Sequence, residues 1–187
     1  MDKKVSIILS TFNEATVIED TINKILKNLD SVEIILVDDN STDGTFEIVN
    51  NMHNPNVKTY SRKTRGLASA FLLGLINSSS NTVGWLDSNM GSLAYKLPEM
   101  LSKLNTHDIV LLSRYVDGGK DLRSKLRVTT SQMINFFCRL MLSNKIKDYT
   151  SGIFAIKKDV LIDVSPICYG HGEYFIEFIY KASKLNY

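Results

Sequence analysis

An apolar run that ends in two adjacent carboxylates most constrains the fold of this chain. Apolar residues from Ile34 to Val37 lead directly to Asp38 and Asp39, and a polar, glycine-containing turn follows. Such a run is typical of a strand buried in a parallel sheet, and open α/β sheets bind ligands at the carboxyl ends of their strands. We therefore predict that these carboxylates serve a ligand. The alternative is that residues 39–43 only cap the next helix and shape its turn.

Strands and helices are predicted to alternate along the chain, which favours an α/β fold with a mostly parallel sheet. The apolar residues Ile18, Ile22, Ile25 and Leu29 recur at helical spacing and predict one buried helix face. The chain has 187 residues and suits a single domain, 1–187. Strands are predicted at 5–10, 32–38, 57–61, 82–87, 108–113 and 152–157, and helices at 15–29, 42–51, 67–77, 98–104, 129–143 and 172–185.

Composition excludes several classes of protein. The net charge of +2 is too small to indicate a nucleic-acid partner, and no stretch approaches the about 18 uninterrupted apolar residues of a spanning helix. Cys138 and Cys168 show no metal-ligand spacing with the histidines, which favours a reduced, cytoplasmic compartment. His171 lies between two glycines, and we interpret it as structural or solvated rather than catalytic.

Four polar loops are predicted to follow strands at the same edge of the sheet. They comprise residues 11–14, 38–44, 62–66 and 87–91. Because the carboxyl ends of parallel strands meet at one edge, we expect their side chains to surround a single cavity. The central expectation is that this cavity brings together Glu14, Asp39, Arg62 and Asp87.

Two of these loops have both a binding interpretation and a structural one. Asn13 and Glu14 could accept hydrogen bonds from a ligand's ring or ribose, or they could cap the helix that follows. The basic turn of Arg62, Lys63 and Arg65 could pair with a diphosphate that the backbone of the following Gly66 approaches closely. Alternatively, it is an ordinary solvated turn.

The loop Asp87-Ser88-Asn89 places two oxygen-bearing side chains two residues apart at a strand end. Hard cations such as Mg²⁺ and Mn²⁺ take oxygen ligands and usually share them with substrate phosphates. Asp87 and Asn89 are therefore candidate metal ligands. The neutral amide of Asn89 predicts a weaker site than two carboxylates would form, and the alternative is a simple Asp-Ser-Asn turn.

Together these loops resemble family 2 glycosyltransferases. Residues 10–14 resemble the family's Pro-x-Tyr-Asn-Glu, residues 37–45 match Val-Asp-Asp-x-Ser-x-Asp-Gly-Thr, and residues 66–70 resemble Gly-Leu-Gly-x-Ala. Residues 113–119 resemble Ser-Arg-Tyr-x-x-Gly-Gly, and residues 148–154 resemble Asp-x-Thr-Ser-Gly-Phe. The last two motifs are similar to those of the polyprenyl-phosphate sugar transferases, the dolichyl-phosphate mannosyltransferase-like branch.

The resemblance implies a GT-A-type, Rossmann-like sheet flanked by helices, with residues 1–91 binding a nucleotide-sugar and residues 92–187 facing the acceptor. It also implies an inverting transfer of mannose or glucose from a nucleotide diphosphate to a polyprenyl or dolichyl phosphate. The implied catalytic residues are Asp87, Arg114 and Arg127. The implied donor-binding residues are Thr11, Phe12, Asn13, Glu14, Asp39, Arg62, Gly66, Asp87 and Ser88, the acceptor-binding residues are Arg114, Arg127, Ser151 and Gly152, and the metal ligands for Mg²⁺ or Mn²⁺ are Asp87 and Asn89.

The chain departs from the family pattern at three places. Asn89 stands where the family has a second Asp, and Gly91 stands where a further Gln or Ser ligand is usual, which weakens the predicted metal site. The longer spacing to Pro98 predicts a remodelled loop. The chain stops at Tyr187 after a predicted helix, so the domain is expected to be truncated at its carboxyl end.

A basic segment, residues 120–127, precedes an apolar helix that contains Phe136, Phe137 and Leu140. This arrangement suits an anionic leaflet and a lipid-linked acceptor. Together with the resemblance, this arrangement implies peripheral contact with the cytoplasmic face of a membrane. A membrane-anchoring partner is compatible with this arrangement. The alternative is an ordinary core helix with a solvated basic lead-in.

Sugar transfer has two alternatives among protein functions. Asn89, Gly91 and the short carboxyl end suit a non-catalytic or decayed nucleotide-sugar-binding module of the same fold. A dinucleotide-dependent dehydrogenase is disfavoured, because the first strand is not followed by a Gly-x-Gly-x-x-Gly turn.

Overall fold

The structure is a computed structural model of the chain. It describes residues 5–121, 124–166, 169–170 and 172–187. Cys168 and His171, both interpreted from the sequence, lie outside these ranges. Leu122 and Arg123 of the predicted basic segment lie outside them too.

Six strands and seven α-helices make up the described part of the chain. The strands are β1 Val5–Thr11, β2 Val32–Asp38, β3 Val57–Ser61, β4 Thr82–Leu86, β5 Ile109–Leu111 and β6 Ile153–Lys157. The helices are α1 Ile18–Asn28, α2 Thr45–Asn51, α3 Leu67–Ile76, α4 Leu97–Lys103, α5 Lys125–Met141, α6 Lys158–Val164 and α7 Glu173–Lys184, and a 3-10 segment spans Ser88–Lys96.

The strands form one sheet in the order β3-β2-β1-β4-β6-β5. β1 pairs in parallel with β2 and β4, and β2 pairs in parallel with β3. β6 runs antiparallel to both of its neighbours, β4 and β5. The predicted α/β fold is therefore confirmed, and β6 is the strand that departs from a parallel arrangement. The central position of β1 places its carboxyl end between those of β2 and β4.

The two faces of the sheet are covered by separate apolar layers. Alternate residues of β1 point to opposite faces, so Ile7 packs against α1 and α4 while Ile8 packs against α3. The predicted face of α1 is buried, with Ile18, Ile22 and Ile25 fully covered. Each such side chain contributes roughly 1.5–3 kcal/mol of burial free energy. This two-sided core fixes the ends of the strands from which the loops emerge.

Some element boundaries differ from the sequence prediction. α1 begins at Ile18 rather than at residue 15, because the carbonyl of Glu14 accepts hydrogen bonds from the amides of Val17 and Ile18 and closes a turn there. α5 begins at Lys125 rather than at residue 129. The helix α6 and the 3-10 segment were not predicted.

Candidate functional site

A cavity of about 310 Å³ lies at the carboxyl ends of β1, β2 and β4. Its volume is that of a small-ligand pocket. Three of the four residues expected to converge, Glu14, Asp39 and Asp87, line it, and Arg62 does not. We call it the donor-side cavity. Its lining consists of Ser10, Thr11, Phe12, Glu14, Asp39, Arg65, Leu67, Asp87, Ser88 and Asn89.

Asp38 and Asp39 have different surroundings although they are adjacent. Asp38 is buried and accepts hydrogen bonds from Thr11 Oγ1 at 3.1 Å and from the Ser41 amide at 2.9 Å, so it shapes the turn. Asp39 faces the cavity, and its Oδ2 accepts a hydrogen bond from the Gly66 amide at 2.9 Å. Neither carboxylate caps α2.

Asp43, rather than Asp39, takes the capping role that the alternative interpretation proposed. Its Oδ1 accepts a hydrogen bond from the Thr45 amide at 3.1 Å, and its Oδ2 accepts one from the Ala15 amide at 3.0 Å. The hydroxyl and amide of Thr45 together with the Ala15 amide hold the pKa of Asp43 below its usual range, against a smaller effect of burial. Gly44 has φ 92°, which allows α2 to begin directly after this turn.

Arg62 differs from its expected position beside a diphosphate, because its guanidinium is used within the protein. Its Nε pairs with Asp39 Oδ1 at 2.5 Å, and its Nη1 donates to Ser69 Oγ at 2.7 Å. Its Nη2 donates to the carbonyl of Gly66. A buried carboxylate such as Asp39 requires a partner, and Arg62 provides it while joining two loops.

Arg65 lines the donor-side cavity in place of Arg62. Its guanidinium carbon lies 3.4 Å from the centroid of the Phe12 ring, a cation–π contact that forms one wall. The basic turn that is predicted to pair with a diphosphate includes Arg65, whereas the resemblance implies Arg62 as the donor-binding residue. Spacing within an irregular turn does not identify which of three cations points into the cavity.

Asp87 is held by groups from β4 and from the loop that precedes β6. Its Oδ1 accepts a hydrogen bond from Trp85 Nε1 at 3.0 Å, and its amide donates to the carbonyl of Gly152 at 3.0 Å. A Cβ at Gly152 would overlap with Asp87 Oδ2, so a larger residue there would displace this carboxylate. Burial, with a further effect of the Asp87 charge, raises the pKa of Tyr174 on α7. This hydroxyl is therefore protonated at neutral pH.

Of the other residues in the first loop, Glu14 lines the donor-side cavity and Asn13 connects this loop to the second one. Asn13 is exposed and outside the lining, and it ties the loop to the second loop, with its Oδ1 accepting from the Thr42 amide at 2.9 Å. Glu14 lines the cavity. Burial and the nearby charge of Asp43 raise the pKa of Glu14, against a hydrogen bond from Ser88 that lowers it. Neither side chain caps α1.

Asp87 and Asn89 are the residues that could hold a divalent metal. Their oxygens are the hard ligands that Mg²⁺ and Mn²⁺ prefer, and both line the donor-side cavity. Within the described ranges, no cluster of three or more His, Cys, Asp or Glu residues could hold a metal ion. One carboxylate and one amide fit a metal shared with substrate phosphates rather than one bound by the protein alone.

Gly91 lies where its backbone packs on α1. A Cβ at Gly91 would come within 2.7 Å of the Thr21 Cα, and Thr21 Oγ1 also donates to the Ser88 carbonyl at 2.6 Å. Gly91, which stands where the family usually has Gln or Ser, therefore allows the 3-10 segment to pack closely on α1.

A second cavity of about 500 Å³ adjoins the first, and Asn89 lines both. We call it the acceptor-side cavity. Ser151 and Gly152 line it, and Ser151 Oγ donates to the Leu112 carbonyl at 2.8 Å. Its other lining residues are Met90, Ser92, Leu93, Tyr95, Lys96, Leu112, Ser113, Arg114, Gly118, Gly119, Lys120, Asp121 and Ile153.

Arg114 lines the acceptor-side cavity but is engaged in a bidentate ion pair. Its Nε donates to Asp148 Oδ2 at 2.9 Å and its Nη2 to Asp148 Oδ1 at 2.7 Å. Nη2 also donates to the carbonyl and hydroxyl oxygens of Thr150. The guanidinium is therefore at the acceptor-side cavity with its position fixed by Asp148, and its contact with an acceptor phosphate stays a prediction. Arg127 is exposed on α5 and is not among the described residues that line either cavity.

The helix α5 presents its apolar residues outward. Its buried residues are polar: Asn135 donates to Thr150 Oγ1 at 2.9 Å and accepts from the Tyr149 amide at 2.6 Å, and Ser131 lies one turn earlier. The alternative of an ordinary core helix is wrong for this structure. We define the α5 outer face by its exposed side chains Met133, Ile134, Phe136, Phe137, Leu140 and Met141.

No helix among the described residues combines the length and apolarity needed to cross a bilayer.

Fold and site together define an α/β protein with a ligand cavity at the carboxyl edge of its sheet. The family model "Glycosyl transferase family 2" matches residues 6–165. A dolichol-phosphate mannosyltransferase of Pyrococcus furiosus is 32% identical over 175 residues, covering 88% of this chain and 49% of that protein. The chain belongs to glycosyl transferase family 2, and the predicted resemblance is confirmed.

Other relatives extend this picture. An undecaprenyl-phosphate mannosyltransferase of Micrococcus luteus is 27% identical, covering 98% of this chain and 79% of that protein. Glucosyl-3-phosphoglycerate synthase of Mycobacterium tuberculosis in complex with uridine diphosphate superposes with a TM-score of 0.71 at 21% identity, covering 98% of this chain and 66% of that one. The GT-A fold is thereby confirmed. The chain spans about half the length of the Pyrococcus relative.

Proposed function

We propose that this chain transfers a sugar from a nucleotide diphosphate to a polyprenyl phosphate, with mannose or glucose as the sugar. The observation that carries the proposal is the convergence of Glu14, Asp39 and Asp87 on one cavity at the carboxyl edge of the sheet. The relatives named as dolichol-phosphate and undecaprenyl-phosphate mannosyltransferases support the acceptor class.

The two adjoining cavities support a division of the chain into a donor half and an acceptor half. Residues of the first 91 positions line the donor-side cavity, and most residues around the acceptor-side cavity come from positions 92–187. We propose that Asp39, Glu14, Thr11 and Phe12 bind the base and ribose. Asn13, Arg62 and Gly66 hold these loops in place, and Ser88 lies beside the diphosphate.

The reaction needs no general base in this proposal. A phosphate oxygen of the acceptor is anionic at neutral pH, so it attacks the anomeric carbon directly. The bond from that carbon to the diphosphate oxygen breaks, its electron pair leaves with the nucleoside diphosphate, and the anomeric configuration inverts. The protein's contribution is positioning and charge stabilisation.

Asp87 and Asn89 would hold Mg²⁺ or Mn²⁺ together with the donor diphosphate. Such an ion supplies Lewis-acid stabilisation of the leaving group. The Mycobacterium tuberculosis synthase has been solved with Mn²⁺ and uridine diphosphate, and this supports the choice of cation. Trp85 would orient the Asp87 carboxylate through its indole N–H.

The acceptor phosphate is proposed to enter the acceptor-side cavity at Ser151 and Gly152. Arg114 would place its positive charge beside this cavity, while its ion pair with Asp148 fixes the position of the guanidinium. Arg127 would meet the phosphate from α5. The α5 outer face would rest on the cytoplasmic surface of a membrane, where apolar side chains and nearby basic residues favour anionic lipid, alone or with an anchoring partner.

A transfer assay tests the proposal. The folded chain with Mn²⁺, polyprenyl phosphate and radiolabelled mannose, glucose or aminosugar donors is expected to form a lipid-linked product from at least one donor. Asp87→Asn should slow product formation by about 100-fold or more, because several kcal/mol of charge stabilisation are lost. Asp20→Asn, an exposed change on α1, is the matched control and should leave the rate unchanged. Absence of product from every donor would contradict catalysis.

A second candidate is a non-catalytic nucleotide-sugar-binding module, which the neutral Asn89 and the closely packed Gly91 favour. It predicts binding of a nucleoside diphosphate and no turnover with any donor. The transfer assay separates the two functions. Turnover that appears only in Asn89→Asp would favour this candidate, as a decayed enzyme.

A further inference from the structure

We propose that Arg65 supplies the main positive charge for the donor diphosphate, so that the nucleotide binds largely without a divalent metal. This inference rests on the proposed function and deepens it. It reassigns the diphosphate contact from Arg62 to Arg65 and reduces the part that the metal plays in binding.

The charge balance of the donor-side cavity requires a cation. Three carboxylates, those of Glu14, Asp39 and Asp87, line it, and a nucleoside diphosphate brings further negative charge. Like charges gathered in one cavity repel one another unless they are paired. Arg62 already neutralises Asp39. The pair formed by Asp87 and Asn89 carries one negative charge, which gives a divalent metal a weaker hold than two carboxylates would.

Arg65 has the position and the chemistry to meet this requirement. It is the one Lys or Arg side chain among the described residues that line the donor-side cavity. No carboxylate in the part of the chain described by the structure forms an ion pair with it. A guanidinium presents several N–H donors in a plane, which matches the oxygens of a diphosphate.

Phe12 preorganises Arg65 for this contact. The guanidinium carbon lies 3.4 Å from the ring centroid, so the positive group sits over the aromatic face. A cation–π contact uses no N–H donor as a conventional hydrogen bond would, so the five donors of the guanidinium stay available to a ligand. An arginine held in this way loses less side-chain freedom when a ligand binds.

The neighbouring cations do not fit this role. The guanidinium of Arg62 is committed to Asp39, Ser69 and Gly66. Lys63 and Arg65 are both exposed, but Lys63 lies outside the lining of the donor-side cavity. Lys63 therefore serves as a control with the same charge in the same turn.

The test is titration of UDP and GDP, with uridine and guanosine as phosphate-free probes, in EDTA and in Mn²⁺. The wild-type chain should keep most of its affinity for one nucleoside diphosphate in EDTA. Arg65→Gln should weaken that diphosphate about ten-fold or more, the effect of losing a charge-assisted contact. It should leave the matching nucleoside within about two-fold. Lys63→Gln should change neither, and Arg65→Lys should retain part of the affinity.

Each outcome separates the inference from the proposed function. Equal diphosphate affinity in wild type and Arg65→Gln, or wild-type binding that vanishes in EDTA, would overturn the inference alone. A folded wild-type chain that binds neither UDP nor GDP under any condition would overturn the proposed function as well. Melting temperatures of the variants establish that loss of binding is not loss of folding.

Discussion

At the scale of single residues, the position of Asp87 depends on Trp85, two residues earlier, and on Gly152, which is distant in the chain. Trp85 is buried between Phe71 and Phe154, and its indole N–H fixes one carboxylate oxygen. Gly152 leaves room for the carboxyl group itself. The glycine of the Ser151-Gly152 motif therefore leaves space for the Asp87 side chain.

Gly152→Ala is expected to destabilise the fold by about 1–3 kcal/mol, since the added methyl group overlaps the Asp87 carboxyl group. Urea unfolding measures this loss, and the transfer rate should fall with it because the carboxylate must move. Gly172→Ala is the control: a Cβ there meets open space, so its unfolding free energy should change by less than about 0.5 kcal/mol. Equal stability of the two variants would contradict the close approach.

Glu33 makes stability depend on pH at the opposite end of the sheet. Burial opposes its ionisation, but hydrogen bonds from Lys58, Ser79 and Ser6 outweigh burial and lower the pKa of Glu33 to about 2. Because this pKa lies below its value of 4.5 in an unfolded chain, the stabilisation is complete above pH 4.5. It is lost as the pH falls towards about 2.

The Glu33→Gln variant should lack this pH dependence and lose roughly 2 kcal/mol of stability at neutral pH. The figure is reduced from the full linkage value because the partner Lys58 is half exposed. Urea unfolding of both proteins between pH 7 and pH 2 measures the difference. Curves that stay parallel throughout this range would show that Glu33 does not act in this way.

At the scale of elements, α5 has its polar residues inside and its apolar residues outside. Asn135 anchors it to Thr150, which also accepts a hydrogen bond from Arg114, so the helix and the acceptor-side cavity share one polar network. The apolar character of this helix was evident from the sequence. Its outward orientation was left open, because apolar spacing alone does not distinguish a core from a membrane surface.

Leu140→Ser should weaken binding to anionic lipid vesicles by about ten-fold, the effect of removing one large apolar side chain from a lipid contact. Unfolding free energy should stay nearly unchanged, since Leu140 is 72% exposed. Ile162→Ser on α6, where the side chain is 66% exposed, is the matched control. Vesicle sedimentation measures both, and equal losses would argue against a membrane role for the α5 outer face.

At the scale of the whole molecule, local pattern predicted the elements better than their arrangement. All six strands were predicted, and all except the polar β3 contain a short apolar run bounded by polar turns. The insertion of β6 between β4 and β5 was not, because it joins Thr82 to Lys157 and depends on long-range pairing. The 3-10 segment has no regular periodicity from which its structure could be predicted.

The candidate site shows the same division. Glu14, Asp39 and Asp87 could be placed together, because each follows a strand whose end has a fixed place in the sheet. The sequence could not show that Arg62 pairs with Asp39 while Arg65 lines the cavity, since this depends on which side chain reaches the buried Asp39. Position in a regular element was readable from the sequence, whereas side-chain direction in an irregular turn was not.

A crystal structure of the chain with UDP or GDP tests the central claim most directly. We expect the nucleotide in the donor-side cavity, with its base beside Asp39 and its diphosphate between Arg65 and Asp87. A nucleotide bound elsewhere, with the donor-side cavity empty at saturating concentration, would contradict the account.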